Sequence, residues 1–145
     1  MKTIYFDMDG TIADLYGVED WFGKLINEDA TPYAEAKDLN NMEELARELN
    51  RLASKGYKVG IVTWLSKGAT REYDKAVRQA KREWLKAHLP TVRLDEIHMV
   101  KYGTPKSRVV KDREGMLFDD EANNRKEWKG QAFDVQNILE ILRGM

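Results

Sequence analysis

The chain opens with a short apolar run that ends abruptly in two carboxylates. Residues 3–6 (Thr-Ile-Tyr-Phe) have the length and residue types of a buried strand, and Asp7, Met8, Asp9 and Gly10 follow directly. Ligands of an open parallel sheet bind at the carboxyl ends of its strands. Taken alone, residues 7–10 fit a simple turn and a ligand pocket about equally well, because Asp and Gly are common turn residues.

Strand-like apolar runs alternate with segments of helical periodicity along the chain. Further strands are predicted at 57–63, 96–100, 115–118 and near 131–133, with helices at about 42–55, at 69–88 and after 134. This alternation is typical of a parallel sheet covered by helices on both faces. A length of 145 residues corresponds to one domain, so we expect a single three-layer, Rossmann-like α/β domain over 1–145.

Two helices carry clear signatures. Asn41 followed by Glu44 forms a capping-box pattern, and Gly56 is placed to end that helix. In the long helix one face is predicted to join the core; its members are Tyr73, Ala76, Val77, Ala80, Trp84 and Leu85. A second, basic stripe is interleaved with acidic residues and is typical of a solvated face; it comprises Lys67, Arg71, Lys75, Arg78 and Arg82.

Residues 14–40 have weak periodicity and are rich in aromatic side chains, which favours an insertion above the end of the first strand. Two interpretations stay open for the aromatic residues of this insertion and of the second strand end. They can stack on a nucleobase, at roughly 1–3 kcal/mol per stack, or they can attach a small cap to the sheet. The set comprises Tyr16, Trp21, Phe22, Tyr33 and Trp64.

Composition excludes several classes of protein. The chain has 24 Lys and Arg against 25 Asp and Glu, and this balance gives no global field for stable nucleic-acid binding. It has no cysteine, no apolar run long enough to cross a membrane and no leader-like start. We therefore expect a cytoplasmic protein without a membrane partner.

Polar residues end several of the predicted strands. Asp7 and Asp9 follow the first, Thr63 ends the second, and Asp119 and Asp120 follow the fourth. Two carboxylates about 4 Å apart repel by roughly 4 kcal/mol at an effective dielectric constant of 20, so such a cluster predicts a bound cation. Oxygen ligands with an incomplete coordination shell suit Mg²⁺, which often takes a remaining ligand from a phosphate.

Four motifs carry a family resemblance. Residues 7–11 (Asp-Met-Asp-Gly-Thr), 61–63 (Ile-Val-Thr), Lys106, and 117–120 (Leu-Phe-Asp-Asp) with the asparagines at 123–124 occur in that order. In these motifs the chain resembles the haloacid dehalogenase-like (HAD) superfamily of phosphotransferases over nearly its whole length. The resemblance implies the superfamily's α/β fold, with a small cap insertion here at about 14–40.

The resemblance also implies roles for individual residues. Asp7 would be the nucleophile that forms an aspartyl-phosphate, and Asp9 would protonate the leaving oxygen and then activate water. Superfamily members that are dehalogenases lack this second Asp, so Asp9 indicates phosphate chemistry. Thr63 and Lys106 would hold the phosphoryl oxygens.

Further phosphate contacts are expected from the first motif, with the backbone N–H groups around Met8 and Asp9 joined by Gly10 and Thr11. Trp64, Trp21 and Lys67 are the other candidate substrate-binding residues, and Lys67 and Arg71 lie nearest to the strand end.

By the same resemblance, Mg²⁺ would be bound by Asp7, the backbone carbonyl of Asp9 and an acidic residue of the fourth motif. Asp120 is preferred over Asp119 as the direct ligand, because the metal-binding Asp of related members aligns with the second position. Asp119 would then support the metal ligands through hydrogen bonds.

A narrower resemblance concerns the substrate. Residues 80–89 (Ala-Lys-Arg-Glu-Trp-Leu-Lys-Ala-His-Leu), 95–98 (Asp-Glu-Ile-His) and Lys106 are similar to the deoxyribonucleotidases, the 5′(3′)- and 5′-nucleotidase family. This implies a magnesium-dependent phosphomonoesterase whose partner is a small phosphate ester, a nucleoside monophosphate. The chain departs from that family at 14–40, which is too short for its larger helical cap. A phosphatase for polynucleotide ends, or for another phosphate ester, and a non-catalytic phosphate-binding module remain alternatives.

Overall fold

A parallel five-stranded sheet forms the centre of the protein in a computed structural model that describes residues 2–145. In chain order the strands are β1 (Thr3–Phe6), β2 (Ala13–Asp14), β3 (Lys37–Asp38), β4 (Lys58–Trp64), β5 (Glu96–Val100), β6 (Met116–Phe118) and β7 (Ala132–Phe133). The helices are α1 (Trp21–Ile26), α2 (Thr31–Glu35), α3 (Met42–Ser54), α4 (Arg71–His88), α5 (Ala122–Glu127) and α6 (Ile138–Arg143). Three 3₁₀ turns span Leu15–Gly17, Lys106–Arg108 and Val135–Asn137.

The order of strands across the sheet is β5-β4-β1-β6-β7, which places β1 in the middle. Phe6 near the end of β1 lies opposite Ile61 of β4 and Phe118 of β6. Because all these pairs are parallel, the carboxyl ends of β4, β1 and β6 meet at one edge. The predicted parallel α/β fold is confirmed.

Side chains alternate between two apolar layers, as strand geometry requires. Ile4 and Phe6 point into the larger layer, where they join buried residues of α3, α6 and the second half of α4. Tyr5 points to the opposite face and packs with Leu117 and Trp128, the residue that follows α5. The β1 strand is therefore buried on both faces, which agrees with its continuous apolar sequence.

The start and end signals predicted for the helix at about 42–55 lie at the two ends of α3. Asn41 Oδ1 accepts a hydrogen bond from the Glu44 backbone N–H at 3.1 Å at the start of α3, and Gly56 follows its end with φ +102°. The strands predicted at 3–6 and 96–100 have those bounds, whereas the strand predicted at 57–63 is shifted by one residue and runs from Lys58 to Trp64. One core prediction is wrong. Ala76 is exposed because it lies at the margin of the apolar face of α4, whereas Lys81 is buried within that face.

Residues 14–40 form β3, α1, α2, the first 3₁₀ turn and the end of β2, which pairs with β3 in an antiparallel ribbon. Hydrogen bonds attach this segment to α4: the Tyr73 hydroxyl donates to the Asp29 carbonyl at 2.9 Å, and Trp84 Nε1 donates to the Ala36 carbonyl at 2.7 Å. Weak sequence periodicity is explained by the shortness of these elements. Within residues 2–145, none of the helices combines the length and apolar character needed to span a membrane.

Candidate active site

The polar residues predicted at the strand ends lie together. Asp7 follows β1, Thr63 is the penultimate residue of β4, and Asp119 and Asp120 follow β6. The Asp7 backbone N–H donates to the Phe118 carbonyl at 2.9 Å, which continues the pairing of β1 and β6 to the base of the site. Neighbouring positions in the sheet thus bring residues more than 100 positions apart in sequence to one edge.

Lys106 reaches this edge from the 3₁₀ turn after β5. Its Nζ donates to Asp7 Oδ1 at 2.8 Å and to Asp119 Oδ2 at 2.7 Å, with the lysine only 1% exposed. Burial by itself lowers the pKa of Lys106, but the adjacent Asp7 and Asp119 carboxylates outweigh it and raise the pKa above its usual value. Lys106 therefore carries a stable positive charge in the centre of the acidic cluster.

Three carboxylates form a group that can hold a cation. Asp7, Asp119 and Asp120 each offer an oxygen, and these oxygens lie within 4.8 Å of one another. Burial, together with the charge of Asp7, raises the pKa of Asp119 to about 6. Burial and the hydrogen bond and charge of Asp7 raise the pKa of Asp120 to about 8. Asp7 thus disfavours ionisation of Asp119 and Asp120, and an all-oxygen donor set of this kind fits Mg²⁺.

The two acidic residues after β6 differ in their partners. Asp119 is fully buried, and both its oxygens are engaged, with Oδ1 accepting from the Glu121 N–H at 2.9 Å and Oδ2 from Lys106 and from Asn124 Nδ2 at 3.2 Å. Asp120 is partly exposed, and besides its neighbour Asp7 it has only a long contact with the Thr11 hydroxyl, at 3.5 Å. Asp120 therefore has the greater capacity for an additional ligand.

The loop after β1 needs a glycine. Gly10 has φ +82°, and a Cβ there would overlap Asp120 Oδ2. The Met8 carbonyl accepts the N–H groups of residues 11, 12 and 13, each at 3.0 Å, and the Thr11 hydroxyl donates to Asp7 Oδ2 at 3.1 Å. Met8 itself is buried in the larger apolar layer, so only its backbone is available to a ligand.

The side chain of Asp9 lies outside the group of three carboxylates formed by Asp7, Asp119 and Asp120. Its Oδ2 accepts from Lys81 Nζ at 3.0 Å, and the same Nζ donates to Thr63 Oγ1 at 2.7 Å and to the Trp64 carbonyl at 2.8 Å. Burial raises the pKa of Asp9, and the charge of Lys81 opposes that shift. Lys81 is not among the site residues predicted from the sequence. The feature of the sequence that could have identified it is its spacing, since Lys81 lies four residues after Val77 and three before Trp84, on the helix face that those core residues share.

A cavity of about 380 Å³ opens directly onto Asp7, Asp9, Lys106 and Asp120. Its other walls are mostly aromatic and aliphatic and come from residues 15–33, the β4 end and Tyr102. All of the aromatic candidates from the sequence line it, and so does Lys67; the rings are Tyr16, Trp21, Phe22, Tyr33 and Trp64. The structure thus brings the aromatic insertion, the strand-end carboxylates and Lys106 around one space.

Solved structures share this fold. The D,D-heptose 1,7-bisphosphate phosphatase of B. bronchiseptica, crystallised with magnesium and phosphate, aligns with a TM-score of 0.59 at 18% identity and covers 99% of each chain. The D,D-heptose 1,7-bisphosphate phosphatase of Burkholderia thailandensis aligns with a TM-score of 0.55 at 14% identity, over 99% of this chain and 97% of that one. Comparison with curated proteins finds no match.

The match of the chain to a known protein family, together with its motifs, defines a phosphatase of the HAD-like superfamily, a hydrolase of phosphoric monoesters. Residues 31–141, more than half of the chain, match the family described as 5′ nucleotidase, deoxy (Pyrimidine), cytosolic type C protein. The chain belongs to this 5′-nucleotidase family, and the predicted superfamily and enzyme class are confirmed.

Proposed function

We propose that the protein is a magnesium-dependent 5′-nucleotidase that hydrolyses nucleoside monophosphates through an aspartyl-phosphate. The observation that carries the proposal is the aromatic cavity that opens directly onto Asp7 and Asp9. A phosphate beside Asp7 leaves the rest of that cavity for the leaving group, and planar apolar walls suit a nucleobase. In this proposal residues 14–40 act as a small cap within one domain.

Asp7 is the proposed nucleophile. Its Oδ1 accepts from Lys106 and its Oδ2 from Thr11, at 2.8 and 3.1 Å, so the carboxylate is held in a single orientation. One carboxylate oxygen attacks phosphorus while the ester P–O bond breaks and its electron pair remains on the nucleoside oxygen. Asp9 donates a proton to that oxygen, and nucleoside leaves.

The second half of the reaction regenerates the enzyme. Asp9, now a carboxylate, takes a proton from a water molecule as the water oxygen attacks the phosphorus of the aspartyl-phosphate. The P–O bond to Asp7 breaks, and inorganic phosphate is released. Lys106 and the Thr63 hydroxyl are the proposed donors to the phosphoryl oxygens throughout.

The proposed Mg²⁺ ligands are Asp7, Asp120 and the Asp9 carbonyl, with Asp119 supporting them through Lys106 and Asn124. When bound, the ion offsets negative charge on the transferring phosphoryl group.

Polar groups around the cavity support a substrate that is recognised mainly by shape and stacking. The hydroxyl of Tyr33 bonds to the Ser66 hydroxyl, and Trp64 Nε1 donates to the Thr104 carbonyl at 2.8 Å. Glu28 accepts from both the N–H and the hydroxyl of Thr70, each at 3.0 Å. Because these groups already have partners, the proposal includes tolerance for several bases rather than selection through base-edge hydrogen bonds.

The direct test is a substrate panel on the full-length protein with Mg²⁺. The panel contains nucleoside 5′- and 3′-monophosphates, sugar phosphates including heptose phosphates, and p-nitrophenyl phosphate. We expect kcat/KM to be highest for the nucleotides, and Asp7→Asn to abolish phosphate release while the protein stays folded. A preference for sugar phosphates would refute the nucleotide assignment. A wild type that releases no phosphate, with Asp7→Asn retaining phosphate binding, would favour a non-catalytic module.

One observation favours a second substrate. Lys67 is exposed and lines the cavity, with its Nζ 5.8 Å from the centre of the Tyr102 ring, and Arg71 is exposed at the start of α4. These charges suit the additional phosphates of a polynucleotide end. Under this alternative, an oligonucleotide with a terminal phosphate outcompetes the mononucleotide, and neutral variants of both residues weaken only the longer substrate and reduce its salt dependence.

A further inference from the structure

We infer that Lys81 is a positioning residue that aims the Asp9 carboxyl at the leaving oxygen. The inference rests on the proposed function, because it concerns how Asp9 transfers its proton. Lys81 lies in the middle of α4, and only 1% of it is exposed. Lysine is almost never buried to this extent without partners, so its placement requires an explanation.

The Lys81 ammonium group is completely satisfied. A protonated lysine has three N–H donors and no acceptor, and Nζ has three oxygen partners: Asp9 Oδ2 at 3.0 Å, Thr63 Oγ1 at 2.7 Å and the Trp64 carbonyl at 2.8 Å. The Tyr33 ring lies 5.2 Å away on another side. Two of the partners belong to β4, so the charged group is fixed relative to the sheet.

This arrangement decides which oxygen of Asp9 is available. Oδ2 is held by Lys81, whereas Oδ1 has no hydrogen-bond donor among the described residues, and Asp9 lines the cavity. Lys81 thereby leaves Oδ1 to exchange a proton with the ester oxygen. The other charges near Asp9 are those of Asp7 and Lys106, and Lys106 is engaged with Asp7 and Asp119 instead.

Lys81 also acts on Thr63. A hydroxyl has one donor and can accept two bonds, and Thr63 Oγ1 accepts from Lys81. Its own proton is therefore free to be donated to a phosphoryl oxygen. This contact affects every phosphate substrate alike, because all share the phosphoryl group. In the first phosphoryl transfer, the step that kcat/KM reports, the contact with Asp9 affects only substrates whose leaving oxygen needs a proton.

Leaving groups of different basicity separate the two effects. A nucleoside departs as a basic alkoxide and needs the Asp9 proton as the P–O bond breaks. A p-nitrophenolate ion is stable near neutral pH and can depart with its electron pair unprotonated. Loss of Asp9 positioning must therefore reduce kcat/KM for the nucleotide much more than for p-nitrophenyl phosphate. A purely structural role would reduce both equally.

The experiment compares kcat/KM for the two substrates in wild type, Lys81→Met, Thr63→Val and Lys86→Met, with Mg²⁺ present. General acid catalysis contributes about 10²–10⁴-fold, so Lys81→Met should lower kcat/KM for the nucleotide by at least about 10²-fold. For the aryl ester, the decrease in Lys81→Met should exceed that in Thr63→Val by less than about 10-fold. Thr63→Val should reduce both substrates by a similar factor. Lys86 is exposed on the same helix, and its variant should match wild type.

Equal losses for both substrates in Lys81→Met would overturn the inference. The ratio of the two values does not depend on the folded fraction of a preparation, so partial unfolding cannot imitate the expected result. If Lys81→Met yields no folded protein, Lys81→Arg provides the same ratio with the charge kept but the geometry changed, and an unchanged ratio refutes the inference.

Failure of the proposed function gives a different result. A wild type that hydrolyses another alkyl phosphate but no nucleotide refutes the nucleotide assignment, and the ratio is then measured with that ester. A wild type inactive on every ester refutes both.

Discussion

Replacing Lys106 with methionine tests whether this lysine compensates the negative charges of the buried Asp7 and Asp119 carboxylates. At an effective dielectric constant of about 20, its contacts with Asp7 at 2.8 Å and Asp119 at 2.7 Å each represent about 6 kcal/mol of gross attraction. Much of this is offset by the cost of burying the lysine. Removing one partner of a buried ion pair typically destabilises a protein by about 3–5 kcal/mol, since the other charge is left uncompensated.

We therefore expect Lys106→Met to lose about 3–5 kcal/mol of unfolding free energy at pH 7.5 without Mg²⁺. For a domain of this size, that corresponds to a decrease of roughly 6–20 °C in Tm. The loss should shrink at pH 5. Burial and the charge of Asp7 already raise the pKa of Asp119, and without the lysine this pKa rises further above its unfolded value. The cost is therefore present at high pH and disappears as Asp119 becomes protonated.

Thermal and urea unfolding at pH 5 and pH 7.5 check this prediction, with Lys101→Met, an exposed lysine five positions earlier, as the control. Mg²⁺ should restore part of the lost stability because it supplies positive charge to the same carboxylates. A variant within 2 °C of wild type at pH 7.5, or equally destabilised at both pH values, would show that Lys106 does not balance these charges.

Two further predictions concern the three carboxylates of Asp7, Asp119 and Asp120. Gly10→Ala should weaken Mg²⁺ activation by about tenfold or more, because its Cβ would displace the Asp120 carboxylate. The control for backbone strain is Gly103→Ala, at φ +87° with open space around it. Equal Mg²⁺ titrations of the two variants would contradict the prediction. Since the pKa of Asp120 is raised from 3.8 to about 8, the metal-free protein should lose stability as the pH rises between these values. Stabilisation by a fixed Mg²⁺ concentration in thermal shift assays should accordingly increase from pH 6 to pH 8.5, and Asp120→Asn should flatten this dependence.

Local patterns made much of the fold predictable. The apolar run before Asp7 and the run before Asp119 are short and uninterrupted, as expected for strands buried on both faces, and both are strands of the central sheet. The capping contact of Asn41 with Glu44 is also local, because it involves residues three positions apart. The helices of 14–40 were not predicted, since elements of five or six residues show little periodicity.

The contacts of Lys81 could not be predicted from the sequence. Its partners Asp9 and Thr63 are 72 and 18 positions away. In the sequence, Lys81 differs from an ordinary solvated lysine only in its helical spacing from Val77 and Trp84, which places it on the apolar face of the helix. A helix period describes which residues share a face. It does not describe which distant carboxylate will meet one of them.

The sequence by itself determined the parallel α/β fold, because alternation, burial and turn chemistry act over a few residues. It also determined which residues meet at the strand ends, because the carboxyl ends of parallel strands lie on one edge. Only the tertiary structure decided how the charges are paired. Lys106 bonds to Asp7 and Asp119, Lys81 bonds to Asp9 and Thr63, and Asp120 keeps an available carboxylate. The physical reason is that ion pairing depends on distances of about 3 Å between residues brought together by folding, and spacing along the chain does not specify those distances.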